Sequence, residues 1–495
     1  MNGTRREFLQ QSLAGSLLLH TGWSMASCQE QARNLFLEGN FGPVREETSA
    51  ENLRVIGRLP AELDGMFVRN GPNPQFTPRG RYHWFDGDGM IHGVRLHEGR
   101  ASYLNRYVRT AGWQEENRAG RAVFTGLLEP PDLARAIRGG TPYKNAANTA
   151  LLWYDNRLLA LWEGGAPHAL RLPDLHTLGT YDFGRRLNHA FTAHPKVDAS
   201  NGDVMFFGYS PLPPYLRYGV ANSRGEIVHT TSIELPRAVM MHDFAITERH
   251  SLFLDLPVTL SFERLGQGQP MMRYEPDLGA RVGILPRRGQ GREIRWFTIQ
   301  TCYVFHTLNA YEEGDEVVLR ACRMAQFPAE IAGAAPAANA VPEPGPSLHE
   351  WHFNLRTGAV VERAISDIAC EFPRFREDRM GQSHRYGYAG KADGAYQFDG
   401  LLKFDLTTGN AERHVHGGGR FGGEGVFVPR PDQRDEDAGW LMTFVHDQGE
   451  NRGELVIVDA QDFRAAPVAR IVMPARVPYG FHGIWVGDRQ FSARS

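Results

Sequence analysis

Three segments in the last third of the chain repeat one pattern. "HEWHFNLRTGAVVER" (349–363), "LLKFDLTTGNAERHV" (401–415) and "GELVIVDAQDFRAAPV" (453–468) each alternate apolar and polar residues, turn, and alternate again. Alternation with a period of two marks a half-buried strand, because successive side chains point to opposite faces. The first two turn at the same dipeptide, Thr357-Gly358 and Thr408-Gly409, a pairing typical of tight reversals. Strand-turn-strand units recurring along a chain are the sequence form of propeller blades. A sandwich would use fewer strands over 495 residues. The expected class is all-β, and the expected architecture a β-propeller.

Little else in the chain competes with that reading. "LLEPPDLARAIRGG" (127–140) is the best helical segment, with Leu133, Ala136 and Ile137 on one face after Pro130 and Pro131. It is expected to sit on the propeller as a lid. The Ala- and Pro-rich run "AGAAPAANAVPEPGPS" reads as an exposed loop between blades, and no domain boundary is visible. With a net charge of -3 and 22% charged residues, the chain has no basic footprint for nucleic acid. Cys28, Cys302, Cys322 and Cys370 form no CxxC pair, which argues against a zinc cage or a redox dithiol. Cys302 and Cys322 would be able to pair only as neighbours on adjacent strands.

Residues 1–30 differ from the rest. "TRREFLQ" sets Arg5 and Arg6 before Phe8 and Leu9, and the weakly apolar "SLAGSLLL" follows, the layout of a twin-arginine export signal. That run is far short of the roughly 20 residues a membrane span requires. "SMASC" offers two endings, cleavage after Ala26 or lipid attachment at Cys28, with Met25 where a lipobox usually has Leu. The expectation is export to the periplasm or a lipid anchor, with 31–495 as one domain. If the segment is only a basic tail, the protein is cytoplasmic.

Among 19 histidines, four stand in strand-like contexts: His194 in "FTAHPKVD", His242 in "MMHDFAIT", His306 in "VFHTLNAYEE" and His482 in "YGFHGIWV". Their wide scatter rules out a local metal motif. A propeller removes the difficulty, because strands of different blades converge on its axis. "FDGDGM", with Asp86 and Asp88, lacks the spaced oxygens and closing glutamate of a calcium loop and reads as a tight turn closing the propeller. "RRGQGRE" lacks the flanking elements of a phosphate-binding loop.

"MFVRNGPNPQF" followed by "YHWFDGDGMIHGVRL" resembles the N-terminal signature of the carotenoid cleavage oxygenases, and the four histidine segments match that family's iron-ligand segments. "KNAANTALLWYDNRLLALWEGGAPHAL" looks especially like its bacterial apocarotenoid-cleaving members. The matching blocks run in family order from about residue 50 to the end. The resemblance implies a seven-bladed propeller, with loops and short helices capping one Fe(II) per subunit held by His194, His242, His306 and His482. Neutral imidazoles suit ferrous iron on chemical grounds as well, and four of them leave coordination positions open.

The resemblance further implies that Glu163 in "LWEGG", Glu371 in "CEFPRF" and Glu424 in "GGEGVFVPRP" accept hydrogen bonds from ligand histidines, fixing their rings and tautomers. Thr149 in "ANTA" matches a threonine next to an open iron position; an ordinary β-branched strand residue is the equal alternative. The family often has Asn where this chain has Ala150, so nothing beyond Thr149 is carried over. The implied reaction is O2-dependent cleavage of a carbon-carbon double bond, in an apocarotenoid or carotenoid, to two carbonyl products. Stilbene cleavage, isomerisation of retinyl esters and non-catalytic binding of apolar ligands remain as alternatives. "GYSPLPPYLRYGV" (208–220) reads either as part of an entrance touching membrane or as a packed loop between blades.

Overall fold

The computed structural model describes residues 34–492 apart from 131, 133, 136–140, 142, 268, 329–330, 332–344 and 395. Residues 1–33, which include the candidate export signal and Cys28, half of the 127–140 candidate helix and most of the Ala- and Pro-rich run lie outside the described residues.

The strands form a seven-bladed β-propeller of antiparallel sheets. The first strands of blades 1 to 4 are Ala150–Tyr154, Lys196–Val197, Phe244–Ile246 and Tyr303–Glu313. The long strand Val360–Arg374 ends blade 4 and begins blade 5: its first part pairs with Ser347–Asn354, and Cys370, Glu371 and Arg374 pair with Tyr386–Ala392. Val426–Pro429 begins blade 6 and Gly483–Gly487 blade 7.

Closure uses both ends of the chain. Gly483–Gly487 pairs with Gly65–Pro72, so the C-terminal strand joins a blade made otherwise of N-terminal strands. Val55–Gly57 pairs with Ala469–Val472 at the outer edge of blade 6. The "FDGDGM" turn is therefore not the closure. It is a short helical turn, Trp84–Asp86, leading into the strand Gly89–His97. Asp86 accepts from the backbone of His83 and Leu127, and Asp88 from Gln75 N and Lys144 Nζ, which satisfies both carboxylates within the protein.

The three repeats occupy equivalent places, the third strand and the turn toward the fourth in blades 4, 5 and 6. Their turns share one chemistry. Asn354 Oδ1 accepts from Thr357 N, Asp405 Oδ1 from Thr407 N and Asp459 Oδ1 from Gln461 N, the side chain mimicking a backbone turn. Gly358 and Gly409 have φ of +80° and +75° and donate N–H back to the carbonyls of Asn354 and Asp405. A β-carbon would strain that left-handed backbone.

Outer strands alternate in burial, as in Ile227–Ile233, while second strands such as Val204–Tyr209 are buried on both faces except at the last residue. The inter-blade cores follow from this, with Trp351, Trp440 and Phe206 among the fully buried side chains. Among the described residues the longest helix, Ala111–Ala119, starts at the Thr110 cap, whose Oγ1 accepts from Trp113 N, and ends at Gly120 with φ +64°.

Cys302, Cys322 and Cys370 are free and buried. Cys302 and Cys322 do lie on adjacent strands, but Tyr303 pairs with Met324, which puts Cys302 out of register with Cys322. The Cys322 thiol meets Cys370 instead. The segment 208–220 is mostly strand: Val204–Tyr209 and Leu216–Ala221 form a hairpin, with Leu212 exposed in its loop. Among the described residues no helix is long and apolar enough to cross a membrane.

Candidate metal centre

The blades bring the four histidines together. His194 and His242 stand two residues before the first strands of blades 2 and 3, and His482 one residue before that of blade 7. His306 lies within the first strand of blade 4, at a bulge where pairing skips from Val304 to Thr307; such bulges re-aim side chains. One nitrogen from each of the four falls within 4.8 Å of the others. The Nε2 atoms of His194 and His242 are 3.0 Å apart, and the ring of His194 lies edge-on to the other three, with centroids 4.5 to 5.0 Å away.

Carboxylates orient three of the rings from behind. Glu163 Oε2 is 2.5 Å from His242 Nδ1, Glu371 Oε2 2.6 Å from His306 Nδ1, and Glu424 Oε1 2.9 Å from His482 Nδ1. A carboxylate at Nδ1 takes its N–H and leaves Nε2 as a lone-pair donor. His306 Nε2 is buried with no hydrogen-bond partner. For His194 the described residues supply no such carboxylate; its backbone N–H donates to Thr192 Oγ1.

Each glutamate is itself held. Tyr209 donates to Glu163 Oε1 at 2.6 Å, and Phe372 N to Glu371 Oε2 at 2.5 Å. Glu424 accepts Gly483 N at 2.8 Å and Arg374 Nη1 at 3.3 Å. Burial alone would raise the Glu424 carboxyl, but Arg374 and His482 hold it down to about 2. Burial lowers His482 to about 4 and pushes His194 well below its ordinary value, the other three histidines adding to it. For His306 burial works downward, yet Glu371 turns the net shift upward.

Charge and donor set both fit a divalent cation. Asp243, Glu163, Glu371 and Glu424 surround the histidines, with the half-buried Lys196 on Asp243 and Arg374 on Glu424 as counter-cations. With the imidazoles neutral the surroundings of the histidines are net acidic even when the buried Arg69 near Glu424 is counted, which suits a cation. Nitrogen-only donors with an orphaned buried Nε2 are those of a borderline transition metal rather than Ca²⁺ or Mg²⁺.

Thr149 sits at the start of blade 1, its carbonyl accepting His482 N–H at 3.2 Å and its Oγ1 donating to Asn148 Oδ1 at 3.0 Å. Sequence reasoning missed Asp243, Tyr209, Arg374 and Phe372. The ring of Phe372 packs 5.3 Å from both His306 and His482, and its φ is +56°, a strained value for an aromatic residue of the kind that clusters at functional sites. Asp243 had a signal in adjacency to His242; Phe372 had none, since its backbone angle is not written in side-chain chemistry.

A small cleft of mixed character lies near the centre without being lined by any of the four histidines; Phe85, Tyr143 and Trp162 line it together with Arg79, Asp88 and Lys144. Trp162 precedes Glu163, and the Phe85 ring packs 5.6 Å from Phe481 beside His482. Tyr143 Oη is buried there without a partner.

Residues 41–487 match the family model described as retinal pigment epithelial membrane protein. A carotenoid 9,10(9',10')-cleavage dioxygenase of Arabidopsis thaliana is 39% identical over 93% of this chain and 91% of its own. The lignostilbene dioxygenase of Pseudomonas brassicacearum superposes with a TM-score of 0.84 at 30% identity, covering 92% of this chain and 99% of that one. A cobalt-substituted Synechocystis apocarotenoid oxygenase superposes with a TM-score of 0.80 at 29% identity, covering 90% and 97%.

Proposed function

The chain belongs to the retinal pigment epithelial membrane protein family, that of the carotenoid cleavage oxygenases, and from that premise we propose that it is an Fe(II)-dependent dioxygenase cleaving a carbon-carbon double bond of an apocarotenoid or carotenoid. The observation that carries the reading is the set of four converging histidines, three of them backed by carboxylates. His194, His242, His306 and His482 would hold the iron through nitrogen. Bound ferrous iron supplies the activation of dioxygen that such a cleavage to two carbonyl products needs.

The protein's own residues supply the rest. Glu163, Glu371 and Glu424 keep three imidazoles in one tautomer and orientation. Thr149, whose carbonyl accepts the His482 N–H, would limit access to the metal if its methyl group faces the ion. No side-chain acid or base is required.

The substrate class rests on the carotenoid-cleaving relatives, which match over nearly the whole chain. Stilbene cleavage is the second reading, favoured by the lignostilbene dioxygenase among the structural neighbours. Purified protein should contain one iron per chain and consume O2 with a β-apocarotenal, giving two carbonyl products. Turnover of resveratrol alone would transfer the assignment to stilbenes, and ligand binding with neither iron nor oxygen uptake would make the protein a binder. The twin-arginine motif at Arg5 and Arg6 supports export, with the mature protein periplasmic or anchored at Cys28. Exposed Leu212 in the 210–215 loop would then give a peripheral membrane contact; cell fractionation tests both, and a purely cytoplasmic signal would refute export.

A further inference from the structure

One buried carboxylate outside the set that touches the histidines connects three of the four ligand-bearing segments. Asp243 follows His242 directly and is 2% exposed. Its Oδ1 meets Lys196 Nζ at 2.7 Å, and Lys196 stands two residues after His194. Its Oδ2 accepts both Thr307 N and Thr307 Oγ1 at 2.8 Å, and Thr307 follows His306. The Thr307 hydroxyl also lies 3.0 Å from Phe244 O. The starts of blades 2, 3 and 4 are thus tied at one group, beside the nitrogens that converge.

This geometry carries more than packing would. The Thr307 N–H is freed from the ladder by the bulge that displaces His306, and a buried N–H left unpaired is destabilising. Lys196 is half-buried, and it would face a dication unscreened without its carboxylate. His194, the one histidine without a carboxylate on its ring among the described residues, is the one whose strand is fixed by this ion pair.

We propose that Asp243 is a positioning residue of the metal centre, setting the mutual placement of His194, His242 and His306 through Lys196 and Thr307. The inference rests on the four-histidine metal reading and adds to it a shared anchor that touches no ligand nitrogen.

Titration of metal-stripped protein with Co(II), followed by its visible d–d absorption, tests this. Asp243→Asn keeps an acceptor for Thr307 and loses the charge that holds Lys196; it should weaken Co(II) binding about 10- to 100-fold and shift the absorption bands. Thr307→Val should act in the same direction to a smaller extent, and it serves where the Asn variant does not fold. A merely structural Asp243 would lower the melting temperature and leave the cobalt spectrum of the folded fraction unmoved. Folded Asp243→Asn, or in its place folded Thr307→Val, binding Co(II) within twofold of wild type with unchanged bands would overturn the positioning role. Wild-type protein that takes up no Co(II) would overturn the four-histidine reading and this role with it, a result distinct from variant-specific indifference.

Discussion

Glu371 holds His306 from one side while Phe372, the next residue, packs against the same ring from another. The carboxylate is 2.6 Å from Nδ1 and the phenyl centroid 5.3 Å from the imidazole. Two successive side chains reach one ring only because Phe372 adopts φ +56°, with its own N–H returned to the Glu371 carboxylate at 2.5 Å. Local strain is thus exchanged for a fixed imidazole. Phe372→Ala should relieve crowding yet loosen His306, lowering turnover more than stability; kcat and melting temperature measured side by side check it.

Removing a ligand should do more than removing an orienting carboxylate. His242→Ala or His306→Ala should abolish iron retention, because the ion would lose one of four neutral donors with no carboxylate in direct contact to replace it. Iron content of the purified variants, by elemental analysis, decides it; full iron and full activity in either would refute the site.

Glu163→Gln and Glu371→Gln keep size and shape and remove the charge that makes each carboxylate a strong acceptor for Nδ1–H and Nε2 a better donor to the metal. Each should lower metal affinity or activity about 10- to 100-fold. Glu424→Gln should cost stability too, since Glu424 also accepts Gly483 N at the closing strand and partners Arg374. The comparison is Fe(II) affinity against unfolding midpoint for the three variants.

The legible parts of the chain are those whose side chains do local work. The Asn354, Asp405 and Asp459 turns exposed three blades, because turn chemistry and outer-strand alternation lie within a few residues of each other. Blades 1 to 3 were silent as repeats: strands such as Val204–Tyr209 and Leu158 to Leu161 are buried on both faces and so show no alternation. At the centre, the histidine and glutamate segments were visible as motifs. The Asp243 clamp, the Phe372 backbone and the Tyr209 bond to Glu163 depend on which blades meet, and that is set by packing rather than spacing. Whether Cys302 can reach Cys322 stays open in the sequence for the same reason, since the register offset that separates them is not encoded in sequence distance.

Acid should weaken blade 4 through Glu350. This carboxyl is 1% exposed and accepts from Arg320 Nε at 2.5 Å, Arg363 Nη2 at 2.7 Å and His352 Nε2 at 2.9 Å. Burial pushes it up, but His352, Arg320 and Arg363 outweigh burial and bring it from 4.5 down to about 2. A carboxyl lower in the folded than in the unfolded chain stabilises fully above 4.5, and loses that contribution as pH falls toward about 2. The contribution at neutral pH is on the order of 3 kcal/mol. Glu350→Gln should therefore be destabilised at pH 7 and progressively less so relative to wild type below pH 4.5, as read by urea unfolding at several pH values. A constant difference across that range would count against the linkage.

The end of the chain carries fold and chemistry together. Gly483–Gly487 supplies the pairing partner of Gly65–Pro72, a strand buried along its whole length. His482 precedes that strand, its backbone N–H on Thr149 O and its ring on Glu424. Truncation before residue 479 removes the closing strand, a ligand and the Gly483 N–H that Glu424 accepts. It leaves the edge of Gly65–Pro72 unpaired, an aggregation hazard. Full-length His482→Ala removes only the ligand. The point variant should stay soluble with a near-native circular dichroism spectrum and lose iron, whereas the truncated chain should lose iron and the cooperative unfolding transition together. A truncated chain that remains folded and keeps its iron would refute both closure by the C-terminal strand and the role of His482.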